Sequence, residues 1–177
     1  MRGVGCEIGD NDMKRREYSF KQIGIIHTPH RAASETPVQP VFAKEIRGTV
    51  EVFPEYIDAM RDLDGFSYIY LFYYFDRTTQ TRLKVKPYLD DKIRGVFATR
   101  APHRPNKIGM SVVRLLRMRK NIIEVEDIDI LDGTPLLDIK PYIARFDVRR
   151  PVRSGWQDDI CDDIAGRRGR RDYKKEK

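Results

Sequence analysis

Residues 66–75 read FSYIYLFYYF, and this run constrains the chain more than any other. Ten residues are too few for a typical long helix, and seven of them are aromatic, so the segment is predicted to be a central strand covered on both faces. Upstream, Ile46, Gly48, Val50 and Val52 alternate with Arg47, Thr49 and Glu51, the period of a strand with one wet face. Further strands are expected over 22–27, 94–99 and 110–116. In 121–131 the apolar pair Ile123 and Val125 is out of phase with Ile128 and Ile130, which calls for two short strands or one bent one. The turn pair Asp132-Gly133 precedes a last apolar run over 136–143, interrupted by Pro141. One short amphipathic helix is expected from Pro54, with Ile57, Met60 and Leu63 at threefold spacing and Gly65 at its end. Six or seven short strands and one or two short helices make an all-β or β-dominated domain. A closed or nearly closed sheet is the economical way to remove its edges.

A chain of 177 residues with 40% hydrophobic content suits one domain with its own core and is short for two. No apolar run reaches the eighteen residues of a membrane span, and residues 1–20 lack the apolar stretch of a secretory signal, so a cytoplasmic location is expected. Cys6 and Cys161 lie near opposite ends without the spacing of a zinc site, so neither a metal cage nor a disulfide framework is indicated. His27 and His30, in a non-helical TPH context, make an unattractive metal pair. The net charge of +7 is mostly a tail, because residues 165–177 hold seven Lys/Arg against two Asp/Glu. Such a tail adds nonspecific phosphate attraction or simply solubility. Residues 93–120 carry eight Lys/Arg and no acid, while 121–138 carry six acids and no Lys/Arg. That inversion reads either as a hairpin with charges attracting across its strands or as a site with a cationic and an acidic side.

Three loops concentrate chemistry. TRAPHRPNKIG, residues 99–109, gathers Arg100, His103, Arg104, Asn106 and Lys107, a density suited to a polyanion or carboxylate but also to a solvated surface loop. The loop 27–40 holds three prolines with His27, His30, Arg31, Glu35 and Gln39, and reads as a rigid pocket wall or an ordinary stiff loop. In DILDGTPLLDIKPY, residues 129–142, the glycine turn lets backbone approach a ligand and Asp129 or Asp132 could accept from a ribose or amine; the plain alternative is a hairpin turn with a self-capping Asp.

FKQIGIIHTPH, the PVQP of 37–40, GVFATRAPHRPNKIGMSVV and DIDILDGTPLLDIKPY, in this order and spacing, resemble the blocks of the TrmO (YaeB/TsaA-like) family over residues 20–142. The resemblance implies a single-sheet β-barrel methyltransferase that binds S-adenosyl-L-methionine, acts as a homodimer, and methylates N6 of N6-threonylcarbamoyladenosine at tRNA position 37 (t6A to m6t6A). The absence of a glycine-rich strand–turn–helix fingerprint agrees with a fold that is not Rossmann-like. By the same resemblance, the cofactor pocket is lined by Pro37, Val38 and Gln39, by Asp76 and Arg77, by Arg100, and by Leu131, Asp132, Gly133 and Thr134. Arg100, Arg104 and Asn106 are implied as the essential polar cluster, with no metal. Val38 stands where the family usually has arginine, and Lys107 where many relatives have proline. The implied organisation is a peripheral extension over 1–17, the barrel domain over 18–148 and a peripheral basic tail over 149–177, which does not resemble the second domain of bacterial members.

Methyl transfer from a sulfonium needs an in-line nucleophile, so positioning and electrostatics can supply most of the gain. Asp129, Asp132 and Asp138 are candidate proton acceptors. The base must be unstacked, which is cheap in a tRNA anticodon loop; Tyr73, Tyr74 or Tyr142 are candidates to stack on it. A noncatalytic S-adenosylmethionine-binding or RNA-binding barrel is the main alternative, and a nuclease using His103 ranks last.

Overall fold

The computed structural model describes residues 16–34, 36–162, 164, 165 and 169. Cys6, Glu35 and most of the 165–177 tail lie outside the described residues. The described residues form eight strands: β1 (Gly24–His27), β2 (Arg47–Val52), β3 (Tyr68–Tyr74), β4 (Lys84–Val85), β5 (Arg94–Gly95), β6 (Ile108–Arg119), β7 (Ile122–Glu126) and β8 (Thr134–Pro141). Six of them close into one antiparallel barrel in the order β1-β2-β7-β6-β3-β8, while β4 and β5 pair separately. The expected β-dominated, single-sheet barrel is therefore the architecture.

Each barrel strand sends alternate side chains inward. Ile26, Val50 and Ile123 meet across β1, β2 and β7, while Ile69 pairs Val113 and Leu71 pairs Ser111 across β3 and β6. All of these are fully buried, and the apolar ones join Val125, Leu136 and Tyr73 in one contiguous core. Closing only six strands demands strong bending, supplied by register shifts at Phe72/Tyr73 and Leu115/Arg117. Gly109 serves the same end. It sits opposite Tyr73, whose ring would lie 2.2 Å from any Cβ there, so the aromatic fills the space beside the glycine.

Three local expectations need correction. The segment after Pro54 is two 3-10 turns, Pro54–Met60 and Leu63–Gly65, divided by Asp62 at φ +65°. Spacing of Ile57, Met60 and Leu63 by three is the repeat of a 3-10 helix, and an α-helix would also need contacts four apart. The strand expected over 94–99 keeps only Arg94 and Gly95 in pairing, and Val96–Ala98 turn into a 3-10 helix. Finally, β3 is covered on one face only. Its outward Tyr70 and Phe72 are half-buried by each other and by Tyr142, and Tyr68 and Tyr74 are exposed. The phase change after Val125 is real. Asp127 at φ +63° ends β7 and rotates the chain, so Ile128 and Ile130 re-enter the core as irregular backbone.

Candidate functional site

Because every pairing is antiparallel, the loops 28–46, 75–107 and 127–133 all emerge at one rim of the barrel. These loops, with the first residue of β8, carry all the implied cofactor and catalytic residues. Topology thus gathers segments that are about a hundred residues apart, as the bond between Thr28 and Asp132 shows.

The Asp132-Gly133 turn is the best-connected part of the rim. The Thr28 amide donates to Asp132 Oδ1 at 3.0 Å, the Arg31 guanidinium pairs with Oδ2, and His27 Nδ1 lies 3.8 Å away. The Arg77 guanidinium donates to the Asp132 carbonyl. Below the turn, the Thr28 hydroxyl donates to the Ile130 carbonyl at 2.8 Å, and the buried His30 ring meets the Ile128 carbonyl at 3.0 Å. Asp132 therefore ties β1's outgoing loop to β8's incoming one and is not the self-capping Asp of a plain hairpin. Gly133, at φ +75° and exposed, provides the backbone freedom this turn requires. An open groove beside the turn is lined by His27, Thr28, Arg31, Arg47, Glu124 and Asp132. Arg100, Arg104, Asn106 and Gln39 are not part of its lining.

On the neighbouring loops, Arg100 Nη1 donates to Gln39 Oε1 at 2.6 Å, joining two of the implied cofactor segments. Pro37 is buried and Val38 half-buried in the loop that presents Gln39. Arg77 Nε lies 3.9 Å from the Asp76 carboxylate. Arg104 is turned inward: Nη1 donates to the carbonyls of Thr99 at 2.7 Å and Val96 at 3.1 Å, and its guanidinium lies 5.7 Å from the Phe97 ring centroid. Its described bonds hold the loop's own backbone in shape, whereas Arg100 reaches another loop. Asn106 is exposed, and His103 meets the Gln80 carbonyl at 3.2 Å. Leu131 is half-buried; Thr134 is buried and its hydroxyl bonds the Leu131 carbonyl at 2.7 Å.

The three candidate carboxylates differ sharply in place. Asp132 is at the rim. Asp138 faces outward from the middle of β8, opposite Phe72, with Lys140 at 2.7 Å. Asp129 is buried, accepts from the fully buried Ser111 hydroxyl at 2.6 Å, and is linked through it to Tyr73 Oη at 3.1 Å. This Tyr73–Ser111–Asp129 chain was invisible to sequence reading, since Ser111 sits in an apolar strand with nothing to mark its inward face. Tyr73 is core and cannot stack on a base, whereas Tyr74 is exposed and Tyr142 half-buried.

The charge inversion between 93–120 and 121–138 resolves into two parts. Its hairpin half is neutralised across strands: Arg117 Nε lies 2.6 Å from Glu124, and Arg114 and Arg47 each reach Glu126 at 3.3 Å. The bond from Arg117 holds the Glu124 carboxyl below its ordinary range, and the same bond raises Arg117. The cations of the 99–107 loop belong to the rim.

A closed six-stranded antiparallel barrel with guanidinium groups, a carboxylate and a glycine turn on the loops of one rim places the chain in the class of small β-barrel domains that carry their polar chemistry on loops. The sequence profile described as tRNA-methyltransferase O N-terminal domain matches residues 25–148, and the chain belongs to that family. It is 54% identical over 137 residues to a probable S-adenosyl-L-methionine-binding protein of Pyrococcus abyssi, covering 77% of this chain and 74% of that one. It is 38% identical to the tRNA (adenine(37)-N6)-methyltransferase of Escherichia coli, covering 71% of this chain and 58% of the relative. A crystal structure of TrmO from Pseudomonas aeruginosa superposes with a TM-score of 0.67 at 36% identity, over 80% of this chain and 63% of that one. The chain thus spans somewhat under two thirds of the crystallised relative.

Proposed function

We propose that this protein is an S-adenosyl-L-methionine-dependent methyltransferase acting on N6 of adenosine 37 in tRNA, with N6-threonylcarbamoyladenosine as its substrate and m6t6A as its product. The observation that carries this reading is the convergence of Gln39, Arg77, Arg100 and the Asp132-Gly133 turn on one rim. Their chemistry fits the cofactor: Asp132 is an acceptor for ribose hydroxyls or an ammonium, the exposed guanidinium groups suit a carboxylate, and Gly133 allows close approach of backbone. When bound, S-adenosylmethionine supplies an electrophilic methyl group. The protein's own work is to orient the nucleophile and exclude competing water, with Arg100 and Gln39 as a preformed pair and Asp132, fixed by Arg31 and Thr28, as a rigid anchor. Asp129, Asp132 and Asp138 remain the candidate proton acceptors of this reading: Asp132 lies at the rim, Asp129 is buried against Ser111, and Asp138 faces outward from β8 beside Lys140.

In this reading residues 18–148 are the catalytic domain, Arg100 and Asn106 are its outward polar groups on a loop that Arg104 holds in shape, and the tRNA anticodon loop is its partner. The protein works as a cytoplasmic homodimer, and the 149–177 segment contributes phosphate attraction. Among the described residues no helix is long and apolar enough to cross a membrane. A noncatalytic S-adenosylmethionine-binding protein is the second reading, favoured by the name of the Pyrococcus relative.

Calorimetric titration with S-adenosylmethionine on wild type and Arg100→Ala comes first, followed by mass spectrometry of t6A-containing and unmodified tRNA after incubation. Saturable binding weakened by the substitution, with a 14-Da gain on t6A tRNA, is the expected result. Binding without methyl transfer would establish the second reading, and no binding by folded protein would sink both.

A further inference from the structure

Trp156 is the single tryptophan of the chain and lies in a 3-10 turn, Gly155–Gln157, beyond the barrel. Its indole N–H donates to the Ala98 carbonyl at 2.8 Å, and the Arg94 guanidinium lies 5.5 Å over its ring. Ala98 is two residues from Arg100. The same C-terminal stretch also reaches the other loop. The Val38 amide, one residue from Gln39, donates to the Gly169 carbonyl at 2.8 Å. Gly169 packs so closely on Phe42 that an added Cβ would sit 2.5 Å from that ring. The two loops held in this way are the two joined by Arg100 and Gln39.

An exposed hydrogen bond between two long side chains gains little unless the backbones beneath them are already fixed, since ordering the side chains costs entropy comparable to the bond. Here each backbone is fixed from outside the barrel. The chain leaves β8 at the end opposite the rim, where the Tyr142 amide bonds the Tyr68 carbonyl, and must travel back to reach Ala98 and Val38. A stretch serving only as a solubilising end would have no need of an indole hydrogen bond to one loop and a glycine pressed against the other.

We propose that Trp156 and Gly169 together strap the two loops and that Trp156 is a positioning residue, fixing the turn before Arg100 while the Gly169 contact fixes the loop that presents Gln39. The positioning role rests on the reading that these loops bind S-adenosylmethionine. The strap itself does not, so the two are separable.

The test uses the full chain with Trp156→Phe, which keeps a ring and loses the N–H, and Gly169→Val, which forces Phe42 aside. Hydrogen exchange without ligand should quicken at Thr99 in the first and at Val38 in the second, with β3 and β6 unchanged. The Kd for S-adenosylmethionine should rise roughly five-fold in Trp156→Phe, the equivalent of one lost hydrogen bond. Placed on Arg100→Ala, the same substitution should add nothing, because Trp156 acts through Arg100. In wild type, the emission of Trp156 should change on titration and saturate with the calorimetric Kd. Unchanged exchange at Thr99 and Val38 overturns the strap whatever the cofactor does. Faster exchange with wild-type affinity overturns the positioning role. Faster exchange in a protein whose wild type binds no S-adenosylmethionine supports the strap and overturns the reading of the site.

Discussion

At the scale of single residues, arginines that look alike in sequence have different work. Arg104 bonds two carbonyls of its own loop and lies over Phe97, so Arg104→Ala should destabilise the fold by about 1–2 kcal/mol in urea unfolding. Arg100→Ala, removing an exposed contact, should cost less than about 0.5 kcal/mol and act on ligand affinity instead. Equal losses of stability would contradict this division. Ser111→Ala should cost about 1–3 kcal/mol, since it deprives the buried Asp129 of a donor without restoring its solvation. Sequence made the polar richness of the 99–109 loop plain. Which guanidinium points into the loop and which points out depends on where Val96 and Thr99 place their carbonyls, and no residue pattern encodes that.

At the scale of elements, the β6–β7 hairpin combines a two-residue turn with charges paired across its strands. Lys120 in that turn has φ +53°, which glycine adopts without strain, so Lys120→Gly should raise stability by about 0.5–1 kcal/mol in thermal or urea unfolding. The Arg117 bond lowers the Glu124 carboxyl in the folded state. A group depressed on folding stabilises above its unfolded value and loses that contribution as pH falls through the folded value. The stability gap between wild type and Glu124→Gln should therefore be complete above pH about 4.5 and vanish in more acid solution, and added salt should shrink it because the pair is exposed. A gap that grows on acidification would show that the bond is absent in solution. The alternation in 46–52 and the phase change after Val125 were legible because a strand's period of two leaves little freedom. The aromatic run was legible as a strand and misread as doubly covered: outward tyrosines shelter one another, and composition cannot distinguish that from burial beneath another layer. The 94–99 segment failed because Val96–Ala98 close a local turn, with the Thr99 amide and hydroxyl both bonding the Val96 carbonyl, while the distant Trp156 holds the Ala98 carbonyl.

At the scale of the whole molecule, the closed barrel could be inferred from many short strands and one resemblance, but the convergence of three loops on one rim follows from pairing order alone. That order also leaves one seam unlike the rest. β1 has four residues and meets β8 through three aligned pairs, Gly24 with Leu136, Ile25 with Pro135 and Ile26 with Thr134. Pairs this distant along the chain pay the largest loop-closure entropy, so this seam should be the last to zip during folding and the first to part by local opening. Thr28 and Asp132, whose bond extends the seam, belong to the proposed site. A molecule held at the rim would then act as the clasp of the barrel. Amides of β1 should exchange faster than those of β3 in the free protein and fall toward the β3 rate once the cofactor saturates it, so occupancy would be written into the lifetime of the closed ring.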